Sequence, residues 1–293
     1  MEDDIVEKIG IIVDSGTDIP KNIIEKYNIK VVPLRIVING KEYEEGSISE
    51  EFLLKRLDDS EVKTSLPNPD SIVNAIESCI NEGVNKIITF NISSNMSGTY
   101  NLFRLTTNSI KEKYPEVQIE NIDTLNISIG AGIIAYRAAQ MIEEGKSFDE
   151  VVEWCNKNKN KSKVFFVIPS LKYLAKGGRI GKVSAKIGEL LNIKPIISIN
   201  DEGIYYTISK TRGFKKSFSK VYEEFLKFVD DQKHMAAVYI SGTSKEFEKL
   251  QKNFFEKVSS LEHSVEVVVG KVSSTLLVHS GPDMFGIGAF IIE

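Results

Sequence analysis

Residues 86–101 read KIITFNISSNMSGTYN, and this stretch decides the fold. Lys86 to Ile92 form an apolar run of the length of a buried strand. The run gives way to Ser93-Ser94-Asn95-Met96-Ser97-Gly98-Thr99-Tyr100-Asn101, small and rich in hydroxyls, and a helix is predicted to open near Ser97. A buried strand that passes through a tight polar turn into a helix is half of a parallel strand–helix–strand unit. The turn also suits an anion. A helix start presents free N–H groups and a positive partial charge, and a single cap would not require so many hydroxyls together with a glycine.

Working outward, the same alternation holds from Ile9 to about Asn160. Strands are predicted at 9–13, 31–38, 86–92 and 117–122, with helices opening near Pro20, Ser49, Pro69, Ser97 and Ser128. After the Lys- and Asn-rich residues 157–163 the texture changes. Strands are predicted at 164–168, 194–199, 205–209, 235–240, 265–269 and 286–292, helices at 214–229 and 245–258, and a hairpin turn at 200–203. The fold class expected is α/β with two domains. Residues 1–162 would form an α/β domain on a parallel sheet, and residues 163–293 an α+β domain on an antiparallel sheet with helices on one side.

Composition limits the function. With 293 residues, 42% hydrophobic and 27% charged, the chain is long enough to bury two cores. The net charge of −4 comes from interspersed charges of both signs, which excludes the basic face that nucleic acid requires. Met1-Glu2-Asp3-Asp4 is acidic where a secretory signal would be basic, and no segment approaches the ~18 apolar residues of a membrane span. A cytoplasmic protein without stable membrane insertion is expected. Cys79 and Cys155 lie far apart without CxxC spacing, so neither a disulfide framework nor a zinc site is expected.

Four further clusters carry polar chemistry. Asp14-Ser15-Gly16-Thr17-Asp18-Ile19-Pro20 follows the first strand, at the sheet edge where parallel folds bind ligands, although read alone it is a capped strand-to-helix turn. Lys63-Thr64-Ser65-Leu66-Pro67-Asn68-Pro69-Asp70 reads as a rigid loop that presents two hydroxyls ahead of two prolines. Lys176-Gly177-Gly178-Arg179-Ile180 sets a permanent charge beside paired glycines, suited to a carboxylate or to a helix end. Val278-His279-Ser280-Gly281-Pro282 places a histidine in a Gly-rich loop, whereas His234 and His263, among charged residues, read as surface positions. Ser97 and His279 could be assembled into a hydrolase, but the GxSxG turn is absent, as are the GxxxxGK[ST] and GxGxxG nucleotide loops. Ser128-Ile129-Gly130-Ala131-Gly132 reads instead as a small-residue helix start packed on the sheet.

In order, these segments resemble the DegV family of bacterial fatty-acid-binding proteins. The family's DSxxD stands at Asp14 to Asp18, its TSxP at Thr64 to Pro67, and its SSxxSGTY at Ser93 to Tyr100. DTxxxSxGxG stands at Asp123 to Gly132, LxYLxKGGRI at Leu171 to Ile180 and HxGP at His279 to Pro282. The resemblance implies a long-chain fatty acid held between two domains and bound without being transformed, so no catalytic residue and no cofactor. It further implies that some members carry the fatty acid to a separate ATP-using fatty acid kinase that forms acyl phosphate. Carried over by position, Thr64 and Ser97 would contact the carboxylate, and Ser65, Gly98 and Thr99 would add donors. Arg179 and His279 would lie at the head-group mouth. Leu66 and Asn101 stand where the family commonly has glutamine, and Asp283 where it frequently has glycine. The different class of function left open is an enzyme that uses the same hydroxyls on a small anionic ester or phosphate.

Overall fold

The first strand, β1 (Ile9–Asp14), runs through a short 3-10 turn into α1 (Lys21–Lys26) and β2 (Lys30–Val32). These belong to a computed structural model that describes residues 7–183 and 192–292; the acidic Met1 to Asp4 lies outside the described residues. The predicted strand 31–38 is in fact two strands in two sheets. The chain breaks at Pro33, which has no N–H for a ladder, and continues as β3 (Arg35–Ile38). β3 pairs antiparallel with β4 (Lys41–Glu44) and, beyond α2 (Glu50–Leu54), with β5 (Val62–Ser65). Thr64 and Ser65 therefore close a strand rather than sit in a loop, with Thr64 opposite Ile36. This ladder, together with the following prolines, fixes their positions.

The chain then runs through α3 (Pro69–Asn81), β6 (Lys86–Asn91), α4 (Thr99–Lys113), β7 (Gln118–Asp123), α5 (Ile129–Glu143) and α6 (Phe148–Asn158). A four-stranded parallel sheet results, in the order β2-β1-β6-β7. Local chemistry sets the helix starts: Ser49 accepts from Phe52 N–H, Asn68 accepts from Asp70 N–H ahead of Pro69, and Ser147 and Glu150 form a capping box on α6.

The second half consists of β8 (Ser162–Val167), α7 (Lys172–Lys176), β9 (Ile193–Ile199), β10 (Tyr205–Arg212), α8 (Phe214–Val229) and β11 (His234–Ile240). α9 (Lys245–Ser259), β12 (Ser264–Lys271), α10 (Ser274–Ser280) and β13 (Phe285–Ile291) complete it. Its six-stranded sheet has the order β10-β9-β8-β13-β11-β12 and is antiparallel except at β11·β12, where α9 crosses over and returns the chain in the same direction. α8 and α9 cover one face of this sheet with a Phe-rich core.

The other face of the six-stranded sheet packs on α5, which also contacts β1 and β6 of the parallel sheet. One apolar core thus runs from Val13 and Phe90 through Ala131 and Ile134 to Ala237 and Phe290. The small start of α5 permits this approach: a Cβ on Gly130 would collide with Asn126 and one on Gly132 with the Thr17 carbonyl. Two histidine expectations are corrected. His234, expected at the surface, is 1% exposed and packs edge-on against Phe225, because it opens β11 on the α8 face. His279 lies in α10 rather than in a loop, and the turn falls two residues later, at Gly281 with φ 68°.

Candidate functional site

Between α5, the end of β5 and the inner face of the six-stranded sheet lies a cavity of about 290 Å³. It exists because β13 alternates size with face: Phe285, Ile287 and Ala289 fill the core under α8 and α9, while Gly286 and Gly288 leave the inner face bare. Its walls are largely apolar and include Leu34, Ile92, Val164, Phe166, Leu276 and Met284. Thr64, Ser65, Ser97, Arg179, His279 and Ser280 also line it. Among the described lining residues there is no carboxylate, and Arg179 is the cation.

Hydrogen bonds hold several of these polar side chains in place. Thr64 Oγ1 and His279 Nε2 are 2.9 Å apart and hydrogen-bonded, although 215 positions separate them in sequence. Burial, with the nearby Arg179 charge adding to it, pushes the His279 imidazole down to about 4, so it is neutral at pH 7. Its Nδ1 is buried without a hydrogen-bond partner, against Gly177, where any Cβ would collide with the ring. Arg179 is exposed and donates to the Gly177 carbonyl at 2.6 Å, at the C-terminal end of α7. Ser97 Oγ lies 2.7 Å from Thr99 Oγ1 and accepts from Thr99 N–H at 3.2 Å, which places it at the N-terminus of α4. The arrangement suits an anionic head group with a long apolar tail: hydroxyls, Ser97 among them just ahead of α4, and a guanidinium share a chamber whose remaining walls are largely hydrocarbon.

Comparison with known proteins agrees with that chemistry. A sequence model described as uncharacterised protein, DegV family, matches residues 8–291. A DegV domain-containing protein of Clostridium acetobutylicum is 38% identical over 286 residues, covering 97% of this chain and 99% of the relative. The chain belongs to the DegV family. Two solved structures similar to this DegV chain are described with a fatty acid. A stearic acid-binding protein of Eubacterium ventriosum is 27% identical, with a TM-score of 0.84 over 97% of this chain and 98% of its own. A DegV family protein of Ruminococcus gnavus, described with vaccenic acid, is 25% identical, with a TM-score of 0.84 over 96% and 99%.

Other motif residues of this DegV chain, Asp14, Asp18 and Ser93 among them, hold the fold together and are not in the cavity lining. Asp14 is fully buried and accepts from Gly16 N–H, Ile92 N–H and Asn91 Nδ2, tying β1 to the end of β6; burial pushes its carboxyl up to about 6. Asp18 accepts from Ser128 Oγ and Ser273 N–H, and burial pushes it up to about 8. Ser93 donates to the Gly203 carbonyl at 2.8 Å, and Asn95 Nδ2 donates to the Glu202 carbonyl, which docks the β9–β10 hairpin tip on the β6–α4 turn. Gly98 and Thr99 do not line the cavity; Thr99 is fully buried and supports Ser97.

Asp283 adopts φ 61°, the left-handed conformation that glycine takes freely. Asp283 is not among the lining residues, and its carboxyl, raised by burial, senses Glu246. Sequence reasoning missed the inner lining, Tyr239, Gly286 and Gly288 above all, although alternating glycines in a buried strand were a visible signal of a bare face. Among the described residues, no group of three or more His, Cys, Asp or Glu is placed to hold a metal ion, and no helix is long and apolar enough to cross a membrane.

Proposed function

We propose that this chain binds a long-chain fatty acid in the cavity, with its carboxylate at Thr64, Ser65 and Ser97, and hands it in the cytosol to a separate fatty acid kinase. The observation that carries this reading is the chamber itself: apolar walls, with hydroxyls and Arg179 as its polar lining. A tail of about 14 methylenes at roughly 0.8 kcal/mol each contributes on the order of 11 kcal/mol before association and ordering costs. An unpaired buried carboxylate would cost several kcal/mol of this, so the donors are needed for binding as well as for orientation. His279, neutral, can donate from Nε2 to Thr64, leaving the Thr64 hydroxyl hydrogen free to point at a carboxylate oxygen. The named ligands of the Eubacterium and Ruminococcus relatives support the same ligand class here.

Hydrolysis fits less well. A general base works best with a pKa near the working pH, and His279, at about 4, bonds to Thr64, while Ser97 bonds to Thr99. Exposed Arg179 at the cavity gives a partner enzyme a charged contact next to the carboxylate.

Native mass spectrometry of the purified protein, then denaturing extraction, tests the proposal. A stoichiometric fatty acid is expected, exchangeable with added palmitate or oleate and lost in the Thr64→Ala/Ser97→Ala double variant. A protein that takes up neither lipid sinks it. Acyl phosphate formation with a fatty acid kinase and ATP tests the hand-over separately.

A further inference from the structure

Tyr239 lines two cavities at once. One is the chamber described above; the other, of about 300 Å³, lies beyond it among Asp18, Ile24, Gly270 and Ser273, with exposed Lys21 and Lys271 at its edge. We propose that Tyr239 is the wall that ends the acyl chamber and sets the longest chain it accepts. This rests on the fatty-acid reading and deepens it.

Three restraints fix the ring. It is 2% exposed, and its hydroxyl donates to the Asp18 carbonyl at 2.8 Å. Its cross-strand partner in β12 is Gly270, where a Cβ would lie 2.5 Å from Tyr239 Cζ, so the ring lies over that glycine. Its partner on the other side, in β13, is Gly286, where a Cβ would meet Phe166 and Met284 instead. The ring therefore leans towards β12 and leaves the space above Gly286 to the chamber. Asp18, its anchor, is held in turn by Ser128 Oγ and Ser273 N–H.

The wall stands at the end remote from the head group. α10 begins beside Ser273, which binds Asp18, and its seven residues run to His279 and Ser280 at the polar end. At 1.5 Å per residue this separates the two ends by roughly 10 Å. The floor at Gly288 lies towards the same end: a Cβ there would lie 3.0 Å from Ile129, the neighbour of the Ser128 that binds Asp18. Removing the ring would join the two cavities.

The test strips the protein of lipid, offers an equimolar series of even-numbered saturated fatty acids from lauric to lignoceric acid, and reads the bound species by native mass spectrometry. Wild type and Tyr239→Phe should share one upper limit, while Tyr239→Ala should retain chains longer by at least one two-carbon step. Tyr239→Leu, which keeps a packed side chain, should shift the limit the same way and serves if the alanine variant does not fold. An unchanged limit in the variants overturns the proposal. In the unmutated protein, palmitate with a diazirine at its methyl end should label Tyr239 or β13 on irradiation, and labelling confined to α4 or α7 would overturn it equally. Failure of the wild type to take up any member of the series would instead defeat the fatty-acid reading.

Discussion

Thr64→Val should separate what the Thr64 hydroxyl does for the fold from what it does for a ligand. Valine keeps the shape and deletes one oxygen. In the protein without lipid, that oxygen is the partner of His279 Nε2 at 2.9 Å, and His279 Nδ1 already has none. The variant leaves a buried imidazole unsatisfied at both nitrogens, a loss of about 1–3 kcal/mol in stability. At about 2–4 °C per kcal/mol for a chain approaching this size, the melting temperature should drop by several degrees. With a carboxylate bound, the same deletion removes a hydrogen bond to a charged group, about 1.5–3 kcal/mol, or roughly 10- to 150-fold in affinity.

The assay is displacement of a fluorescent fatty acid from delipidated protein, alongside urea unfolding without lipid, because bound lipid would itself raise apparent stability. Thr64→Ser should restore affinity to within a few-fold. The stability loss should be non-additive with His279→Phe in a double-mutant cycle, since the two side chains share one bond. Affinity unchanged within twofold, with the stability loss present, would refute the head-group reasoning and leave Thr64 as a support for His279 alone.

Asp18→Asn should become more stabilising relative to wild type as pH rises. The folded carboxyl titrates at about 8 against an ordinary value of 3.8, so between those values the folded state holds a proton that the unfolded state has lost. Wild-type stability therefore falls as pH rises through that window, by up to about 1.4 kcal/mol per unit, and asparagine removes the dependence; a urea-midpoint difference that stays flat from pH 5 to pH 8 would contradict this. Gly130→Ala should destabilise by about 1–3 kcal/mol, because its Cβ collides with Asn126 and lies 2.7 Å from Val164. A neutral or stabilising result in chemical denaturation, as helix propensity alone would give, means that α5 sits less tightly between the sheets. Gly203→Ala combines φ 73° with a clash on Ser93 Oγ, and should loosen the hairpin tip, seen as faster amide exchange at Ser93 to Met96; exchange as slow as wild type would show that the tip is not held there.

The sequence by itself determined whatever rests on near neighbours. Strand β6 and the hydroxyl-rich start of α4 were legible because a buried strand has a recognisable composition and a cap lies within three residues of the N–H it satisfies. The same holds for Ser49 and Pro69 as helix starts, and for Thr64, Ser97, Arg179 and His279 as polar residues of interest. Tertiary structure decided the rest. Residues 31–38 look like one strand until β2 and β3 pair in different sheets. His279 and Thr64 become a pair only when α10 packs beside β5. Apolar residues that line a chamber and apolar residues that fill a core are selected by the same exclusion of water, so Leu276 and Ile92 look alike until the folded chain leaves space beside them. The direction in which the Tyr239 ring leans depends on glycines in two other strands, β12 and β13, and no local pattern around residue 239 contains that information.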